Sequence, residues 1–244
     1  MRTALLLLLL AGTAAAGHRD VDTPDEAYVD AGREWRHVTC EVSGEERRGL
    51  RAKGSGVAIA PEWVLTAAHV LEDAPRDVRV RFDDGSVRRA TRLVQHPEFR
   101  RDAVGVNDIA LVQVEPMPIG EFPAIAECLA GEPMQVVGFG MHGRLDGGEL
   151  EHDGRLRAGR AIADEWQGTC VVCFAKRGRC RLLYCPASGD SGGPLFNDAG
   201  NLVGIHSFTA RPAGVRRGQY GEESHHTYVA RYAAWIHGVM EGDQ

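Results

Sequence analysis

Three short segments of the sequence contain residues suited to nucleophilic catalysis. In residues 189–195 (GDSGGPL), Ser191 stands between an aspartate and two glycines, which favours a tight loop that exposes one hydroxyl. A hydroxyl is a weak nucleophile unless a base takes its proton. Upstream, His69 follows an apolar strand in TAAH, and Asp108 begins another strand in NDIAL. The sequence therefore supplies a nucleophile, a base and a group to orient the base.

The order His69, Asp108, Ser191 is that of the chymotrypsin-type catalytic triad. All three local motifs resemble those of the trypsin/chymotrypsin-like serine peptidases. The resemblance implies that Ser191 attacks a carbonyl carbon, that His69 takes and returns the proton, and that Asp108 holds the imidazole. It further implies a secreted serine endopeptidase that cleaves polypeptide substrates through a covalent acyl-enzyme.

Other interpretations of these motifs were weighed against catalysis. Taken singly, they are typical of a turn, a core histidine and a strand cap, but their combination in one order favours an active site. A catalytically inactive binding protein on the same fold is the alternative function. A periplasmic HtrA-type protease is disfavoured, because that group usually has asparagine at the position of Asp190. The histidines expected to be surface or structural residues are His37, His96, His142, His152, His206, His225, His226 and His237.

The resemblance also assigns roles around the nucleophile. The backbone N–H groups of Gly189 and Ser191 would form the oxyanion hole. Asp190 would be the activation residue, which in the trypsin branch pairs with a new N-terminus, commonly Ile-Val-Gly-Gly. That tetrapeptide is absent upstream. The open alternatives are a terminus at Gly17, a terminus at Asp20, or an internal partner for Asp190, because a buried unpaired carboxylate is costly.

The residues that would bind the substrate side chain depart from the family pattern. Ser207, Phe208 and Thr209 occupy the place of the family's Ser-Trp-Gly segment, which runs beside the substrate and hydrogen-bonds the catalytic aspartate. Cys185 stands six residues before the nucleophile, where the base of the pocket is expected. It replaces the aspartate that would favour Arg or Lys, although residues 222–223, both glutamate, could supply a negative charge. The preferred substrate residue is therefore left open.

The elements that must position these residues are short strands. Residues 55–66 form two apolar stretches broken at Pro61, residues 77–83 alternate apolar and charged side chains, and Asp84-Gly85 is a hairpin signal. The C-terminal stretch has apolar residues at helical spacing. Many strands and one final helix predict an all-β sandwich or barrel. The resemblance implies two six-stranded antiparallel β-barrels, with the active site in the cleft between them and a C-terminal helix.

The N-terminus carries the pattern of a secretory signal peptide. A basic start, an apolar run too short to span a bilayer and an A-x-A ending predict cleavage after Ala16, hence a secreted or periplasmic protein. The predicted organisation is a signal peptide over 1–16, an N-terminal arm without its own core over 17–34 and a peptidase domain over 35–241. Within the domain, the first barrel spans about 35–120, the second about 121–229 and the helix about 230–241.

The charge balance bears on the partners. The formal net charge is −6, which disfavours nucleic acid because no strong basic field is present. No later segment is long and apolar enough for a membrane span, so no membrane association is expected after signal cleavage. No cofactor and no metal are expected, and the protein is expected to be a monomer acting on polypeptides.

The six cysteines allow two interpretations. In a secreted chain they favour disulfides, while the spacing of the last four also suits a zinc knuckle. Nested pairs on a hairpin fit the spacing of those four, although four cysteines allow three pairings. The expected pairs are Cys170–Cys185 and Cys173–Cys180, with Cys40 and Cys128 either paired or free.

Overall fold

A computed structural model describes residues 17–45, 51–73 and 76–242, so the predicted signal peptide lies outside the described residues. The strands are β1 (Gly17–Arg19), β2 (Thr39–Glu45), β3 (Arg51–Ala60), β4 (Trp63–Thr66), β5 (Arg76–Phe82), β6 (Val87–Gln95), β7 (Ala110–Val114), β8 (Pro133–Gly138), β9 (His142–Arg144), β10 (Arg157–Ile162), β11 (Glu165–Gln167), β12 (Cys170–Phe174), β13 (Tyr184–Cys185), β14 (Pro194–Asn197), β15 (Leu202–Ala210) and β16 (Glu223–Tyr228). The helices are α1 (Asp25–Gly32), α2 (Ala68–Asp73) and α3 (Ala233–Glu241), with 3-10 turns at Arg33–Trp35 and Val229–Tyr232.

The first half closes into a six-stranded antiparallel barrel. The strand order is β2-β3-β4-β7-β6-β5, and β5 pairs with β2 to complete the circle. Apolar residues at alternate positions, such as Val42, Val80 and Val112, meet inside the barrel. Such side chains each contribute roughly 1.5–3 kcal/mol when removed from water. The predicted period-2 pattern is therefore the source of this core.

The second half is built on one seven-stranded antiparallel sheet. Its strand order is β10-β8-β14-β15-β16-β12-β11. The predicted all-β fold with a C-terminal helix is confirmed, but the hydrogen-bonded pairing of the described residues closes only the first half into a barrel. The sheet of the second half has seven strands where six were expected. At its edge lies the short strand β11, which pairs only with β12.

The C-terminal helix α3 packs where the two halves meet. Trp235, Ile236 and Val239 form its buried face, in a cluster with Leu65 of the first half and Phe139 of the second. No helix among the described residues is both long enough and apolar enough to cross a membrane.

The predicted N-terminal arm is incorporated into the second half. Strand β1 lies between β13, to which it is antiparallel, and β9, to which it is parallel. Tyr28 of α1 is fully buried, and its hydroxyl donates a hydrogen bond of 3.0 Å to the carbonyl of Leu183. The arm has no core of its own, but it completes the core of the second half.

The expected disulfides are not formed, since all six cysteines are free thiols. Cys40 lies in the core of the first barrel and Cys128 in that of the second half. The thiol of Cys170 contacts the carbonyl of Gly105, whereas Cys185 lies in a separate apolar cluster with Leu183. Cys170 and Cys185 thus have different surroundings. The second expected pair is also separated, since Cys173 belongs to the core of the second half and Cys180 packs against the cluster of Cys185. Burial raises the pKa of Cys170 and of Cys128 to about 11.

The four cysteines at 170–185 do not converge as a zinc site requires. Among the described residues, the group of His, Cys, Asp and Glu side chains close enough for one ion consists of Asp25, His142 and Asp153. A guanidinium already supplies positive charge there. Arg157 donates to both oxygens of Asp25 at 2.9 and 2.7 Å and to both oxygens of Asp153 at 2.8 Å. This ion cluster ties α1 to β10.

We expect Arg157→Met to lower the free energy of unfolding by about 2 kcal/mol at pH 7. Fully buried pairs lose about 3–5 kcal/mol, but Asp25 and Asp153 are 22 and 36 % exposed, which reduces the cost. Urea denaturation would measure it. The control is Arg160→Met on the same strand, whose bond to Asp198 is more exposed, with an expected loss below about 1 kcal/mol.

The same contact has a defined pH dependence. Hydrogen bonds from Arg157 hold the pKa of Asp25 and of Asp153 below their usual range. A carboxyl whose pKa is lowered on folding stabilises above its unfolded pKa of about 3.9, and this stabilisation is lost as the pH falls further. The difference between wild type and Arg157→Met should therefore shrink below about pH 4. A constant difference down to pH 2 would contradict the assignment.

Candidate active site

His69 and Asp108 form a two-point contact. Helix α2 starts at Ala68, directly after β4, and Asp108 lies just before β7, the strand that pairs with β4. The His69 backbone N–H donates to Asp108 Oδ1 at 2.9 Å, and His69 Nδ1 lies 2.8 Å from Asp108 Oδ2. A carboxylate accepts, so we assign the proton to Nδ1. This leaves His69 Nε2 as the basic nitrogen.

Asp108 is buried and receives support from the second half of the chain. The Ser207 hydroxyl on β15 donates to Asp108 Oδ2 at 2.5 Å, the contact that the sequence resemblance implied. The Thr227 hydroxyl on β16 donates to the carbonyl of Asp108 at 3.0 Å. Burial favours the neutral acid, but His69 and Ser207 outweigh it, so the pKa of Asp108 is lowered. The carboxylate is thus charged, and its two oxygens accept two hydrogen bonds from His69 and one from Ser207.

Sequence reasoning missed the residue that sets the backbone before Asp108. Asn107 has φ 52°, a left-handed conformation that asparagine adopts more readily than most residues. Its side chain accepts from the Tyr232 hydroxyl at 2.9 Å and donates to the carbonyl of Glu98 at 3.2 Å. The motif NDIAL contained a signal, since asparagine is enriched at positive φ.

Ser191 lies in a loop fixed by backbone hydrogen bonds. The Ser191 carbonyl accepts from the Ser55 N–H at 2.7 Å, and the Gly192 N–H donates to the carbonyl of His206 at 2.7 Å. Gly192 has φ 81°, and a Cβ there would lie 2.2 Å from Thr66 Oγ1. Any larger residue would therefore displace the loop. The predicted tight loop is confirmed.

The Ser191 loop and the His69 helix meet at β3. A Cβ added at Gly54 would lie 2.7 Å from Val70 Cγ2 and 2.9 Å from the Ser191 carbonyl oxygen. Val70, the residue after His69, and the backbone of Ser191 thus both pack closely against Gly54 of β3. The Ser55 hydroxyl strengthens this junction, since it donates to the carbonyl of Gly189 at 2.8 Å. Sequence analysis treated Ser55 only as part of a strand.

Asp190 is fully buried next to the first residue of β1. It accepts from the N–H groups of Gly140 and Ala187, both at 2.9 Å, and from the Tyr184 hydroxyl at 3.3 Å. Burial raises its pKa to about 6. The N–H of Gly17 donates to the carbonyl of Met141, and a Cβ on Gly17 would lie 3.0 Å from Asp190 Oδ2. The carboxyl of Asp190 thus lies beside both of the expected kinds of partner, hydrogen-bond donors from within the chain and Gly17.

A cavity of about 180 Å³ opens beside Ser191. We call it the specificity cavity, and its lining includes the predicted substrate residues Ser207, Phe208 and Thr209. Cys185, expected at its base, is not among the lining residues, because it is buried in the apolar cluster with Leu183. The lining residues are His18, Pro186, Ala187, Ser188, Ser191, His206, Ser207, Phe208, Thr209, Arg211, Arg217 and Glu222. His18, Ser188, Arg211 and Arg217 carried no sequence signal.

Comparison with known proteins gives a consistent result. The family model described as Trypsin matches residues 36–236. Human granzyme M is 27 % identical over 92 % of this chain and 94 % of the relative, and human kallikrein-4 is 26 % identical over 77 % of each. A solved structure of HL collagenase superposes with a TM-score of 0.67 at 19 % identity, covering 84 % of this chain and 94 % of that one. Mouse neuropsin gives a TM-score of 0.65 at 20 % identity, covering 84 and 95 %.

The contact between His69 and Asp108 predicts how the pKa of His69 responds to substitution of Asp108. Burial of the ring opposes protonation, but the adjacent Asp108 outweighs it, so the pKa of His69 lies above its ordinary value of 6.5. Asp108→Asn removes the charge and leaves the burial, so the pKa of His69 should fall below 6.5. Histidine NMR of both proteins measures the change. Ser207→Ala, which keeps the carboxylate, should leave the pKa above 6.5. A value unchanged in Asp108→Asn would refute the assigned cause.

Proposed function

Because the chain belongs to the trypsin family, we propose that it is a secreted serine endopeptidase that uses His69, Asp108 and Ser191 as its catalytic triad. The observation that carries the proposal is the two-point contact of His69 with Asp108, at 2.8 and 2.9 Å, next to the fixed loop of Ser191. A histidine oriented through Nδ1 presents Nε2 as a general base. The proposal includes export after removal of residues 1–16.

The reaction starts at the Ser191 hydroxyl. Its oxygen attacks the carbonyl carbon of the substrate peptide, and its proton passes to His69 Nε2. The tetrahedral intermediate collapses when His69 gives that proton to the leaving amine, which leaves an acyl-enzyme on Ser191. A water molecule then attacks the ester with His69 again as base, and the acid product leaves as the Ser191 hydroxyl regains its proton. Asp108 stabilises the imidazolium in both halves.

The negative oxygen of each tetrahedral intermediate needs donors. We assign this role to the backbone N–H groups of Gly189 and Ser191. The loop that holds them is fixed before substrate arrives, since the Gly189 carbonyl is bound by Ser55 and the Ser191 carbonyl by the backbone of Ser55. Preorganised donors of this kind contribute about two to three orders of magnitude in kcat each.

The proposal also assigns an activating role to the N-terminus. Cleavage after Ala16 would leave an α-ammonium group on Gly17, which pairs with Met141 and lies beside Asp190. Asp190 is then the carboxylate that balances this charge. Only glycine fits, because a Cβ at position 17 would lie 1.9 Å from the Tyr184 hydroxyl. Signal cleavage and activation would thus be one event.

Ser191→Ala tests the chemistry. Loss of the nucleophile should lower kcat by about six orders of magnitude, and covalent labelling by a fluorophosphonate probe should disappear. Circular dichroism and thermal unfolding serve as the fold control. Ser207→Ala, which loses one bond to Asp108, should retain labelling at a reduced rate. A folded wild type that neither labels nor cleaves peptides would favour the alternative, a catalytically inactive binding protein.

An added residue at the N-terminus tests the activation. A mature protein beginning at Gly17 should be active, whereas one that begins Ala-Gly17 should lose at least about tenfold in kcat/KM, since each 1.4 kcal/mol of misalignment costs a factor of ten. Asp190→Asn should show a similar loss in the Gly17 protein. The matched control places the extra residue after Gly242. Equal activity of both N-terminal forms would contradict the proposed pairing.

A further inference from the structure

We propose that the specificity cavity binds an acidic side chain, glutamate above all, of the substrate residue whose carbonyl Ser191 attacks. This inference rests on the proposed peptidase function and names the substrate class. Ser191, Ser207 and Thr209 line one cavity, so the side chain next to the attacked carbonyl enters it. A volume of about 180 Å³ accommodates a side chain of glutamate size.

His206 is the main recognition group. It lines the cavity and is 2 % exposed, and its Nδ1 has no hydrogen-bond partner. Its backbone is fixed to the two residues that follow Ser191, since its N–H donates to the Gly193 carbonyl and its carbonyl accepts from Gly192. The ring is therefore held rigidly relative to the nucleophile. A substrate carboxylate that enters the cavity meets this ring and can bond it in its imidazolium form.

A second histidine stands behind His206. The rings of His206 and His226 meet edge to face with centroids 5.2 Å apart. His226 Nε2 lies 3.1 Å from the Ser224 hydroxyl, which itself donates to the carbonyl of Cys173 at 3.4 Å. The Ser224 oxygen thus accepts from His226 Nε2–H, which leaves His226 Nδ1 with a free lone pair. That nitrogen also has no hydrogen-bond partner, so two buried rings without a partner at Nδ1 lie side by side behind the cavity.

The electrostatic surroundings support uptake of an anion. Burial, together with the neighbouring His226, His69 and His225, holds the pKa of His206 well below its usual value, so protonation of the ring requires a compensating negative charge. Arg211 is exposed and Arg217 half-buried at the same cavity. A bound carboxylate supplies the negative charge that His206 needs to protonate. His206 thus becomes an imidazolium as the substrate carboxylate binds.

Glu222 is the acidic group of the lining, and its position limits its effect. Its Oε2 is buried without a hydrogen bond, and the atom that faces it at 3.5 Å is Nδ1 of His18. Burial raises the pKa of Glu222, and Arg211 and Arg217 act against this rise. A lysine or arginine of the substrate would meet two arginines and one carboxyl. The sum of the charges opposes a basic side chain.

An apolar side chain is also disfavoured. It would bury His206 and the half-buried Ser188 hydroxyl without partners. Sites built around buried polar groups reject analogues that cannot pair with them by about 10⁴ to 10⁵. Because this cavity is partly open to solvent, a preference of glutamate over leucine of about 10² is expected. Glutamine has the same shape and no charge, so glutamate should exceed it by about tenfold.

The test uses internally quenched peptides that differ only at this residue, with Glu, Asp, Gln, Leu or Lys. The ratio of kcat/KM for Glu to that for Gln isolates recognition of the charge, because a general loss of activity cancels. His206→Leu and Arg217→Ala should each lower this ratio at least about fivefold. The matched controls are the exposed His237→Leu and Arg216→Ala, which should leave the ratio unchanged.

The outcomes separate this inference from the proposed function. Cleavage after glutamate, with a ratio that falls in His206→Leu or, if that variant does not fold, in Arg217→Ala, supports the inference. A fluorophosphonate-labelled enzyme that prefers Leu or Lys, or whose ratio survives the replacements, overturns the inference and leaves the peptidase function intact. A folded wild type that neither labels nor cleaves any peptide overturns both.

Discussion

The structure depends on one buried carboxylate shared between its two halves. Asp108 stands in the first half and accepts two bonds from His69 of the same half, and its third donor, Ser207, comes from the second. A buried charge is tolerated only when its oxygens are fully bonded. The halves must therefore dock in one relative position, which brings Ser207 of β15 against Asp108. The contact that fixes the two halves relative to each other is therefore also the contact that completes the hydrogen bonding of Asp108.

Much of this arrangement could be predicted from the sequence. The loop of Ser191, the helical turn after β4 and the strand after Asp108 are local features, and their signals are glycine placement and apolar alternation. The bond from Ser207 to Asp108 also followed from the motif resemblance. These features were predictable because residues a few positions apart determine each of them. Family membership supplied the long-range pairing that the local signals lack.

The remaining features depend on contacts between distant segments. His206 was predicted to be structural, yet it lines the cavity, because a bulge in the pairing of β15 with β16 follows it. The cysteines were expected to pair, but Cys40 lies in the core of the first barrel, Cys128 and Cys173 in that of the second half, and Cys185 in a smaller cluster. Tyr28 belongs to an arm that looked polar in sequence, and it fills the second core. No single stretch of sequence encodes such placements.

The link between Tyr232 and Asn107 imposes an order in time. The left-handed backbone before Asp108 is held by a hydroxyl from the 3-10 turn that follows β16. A nascent chain emerges from its N-terminus, and the first barrel can form while the tail is still being made. Asn107 therefore lacks this brace until the second half of the chain has been made and has packed against the first.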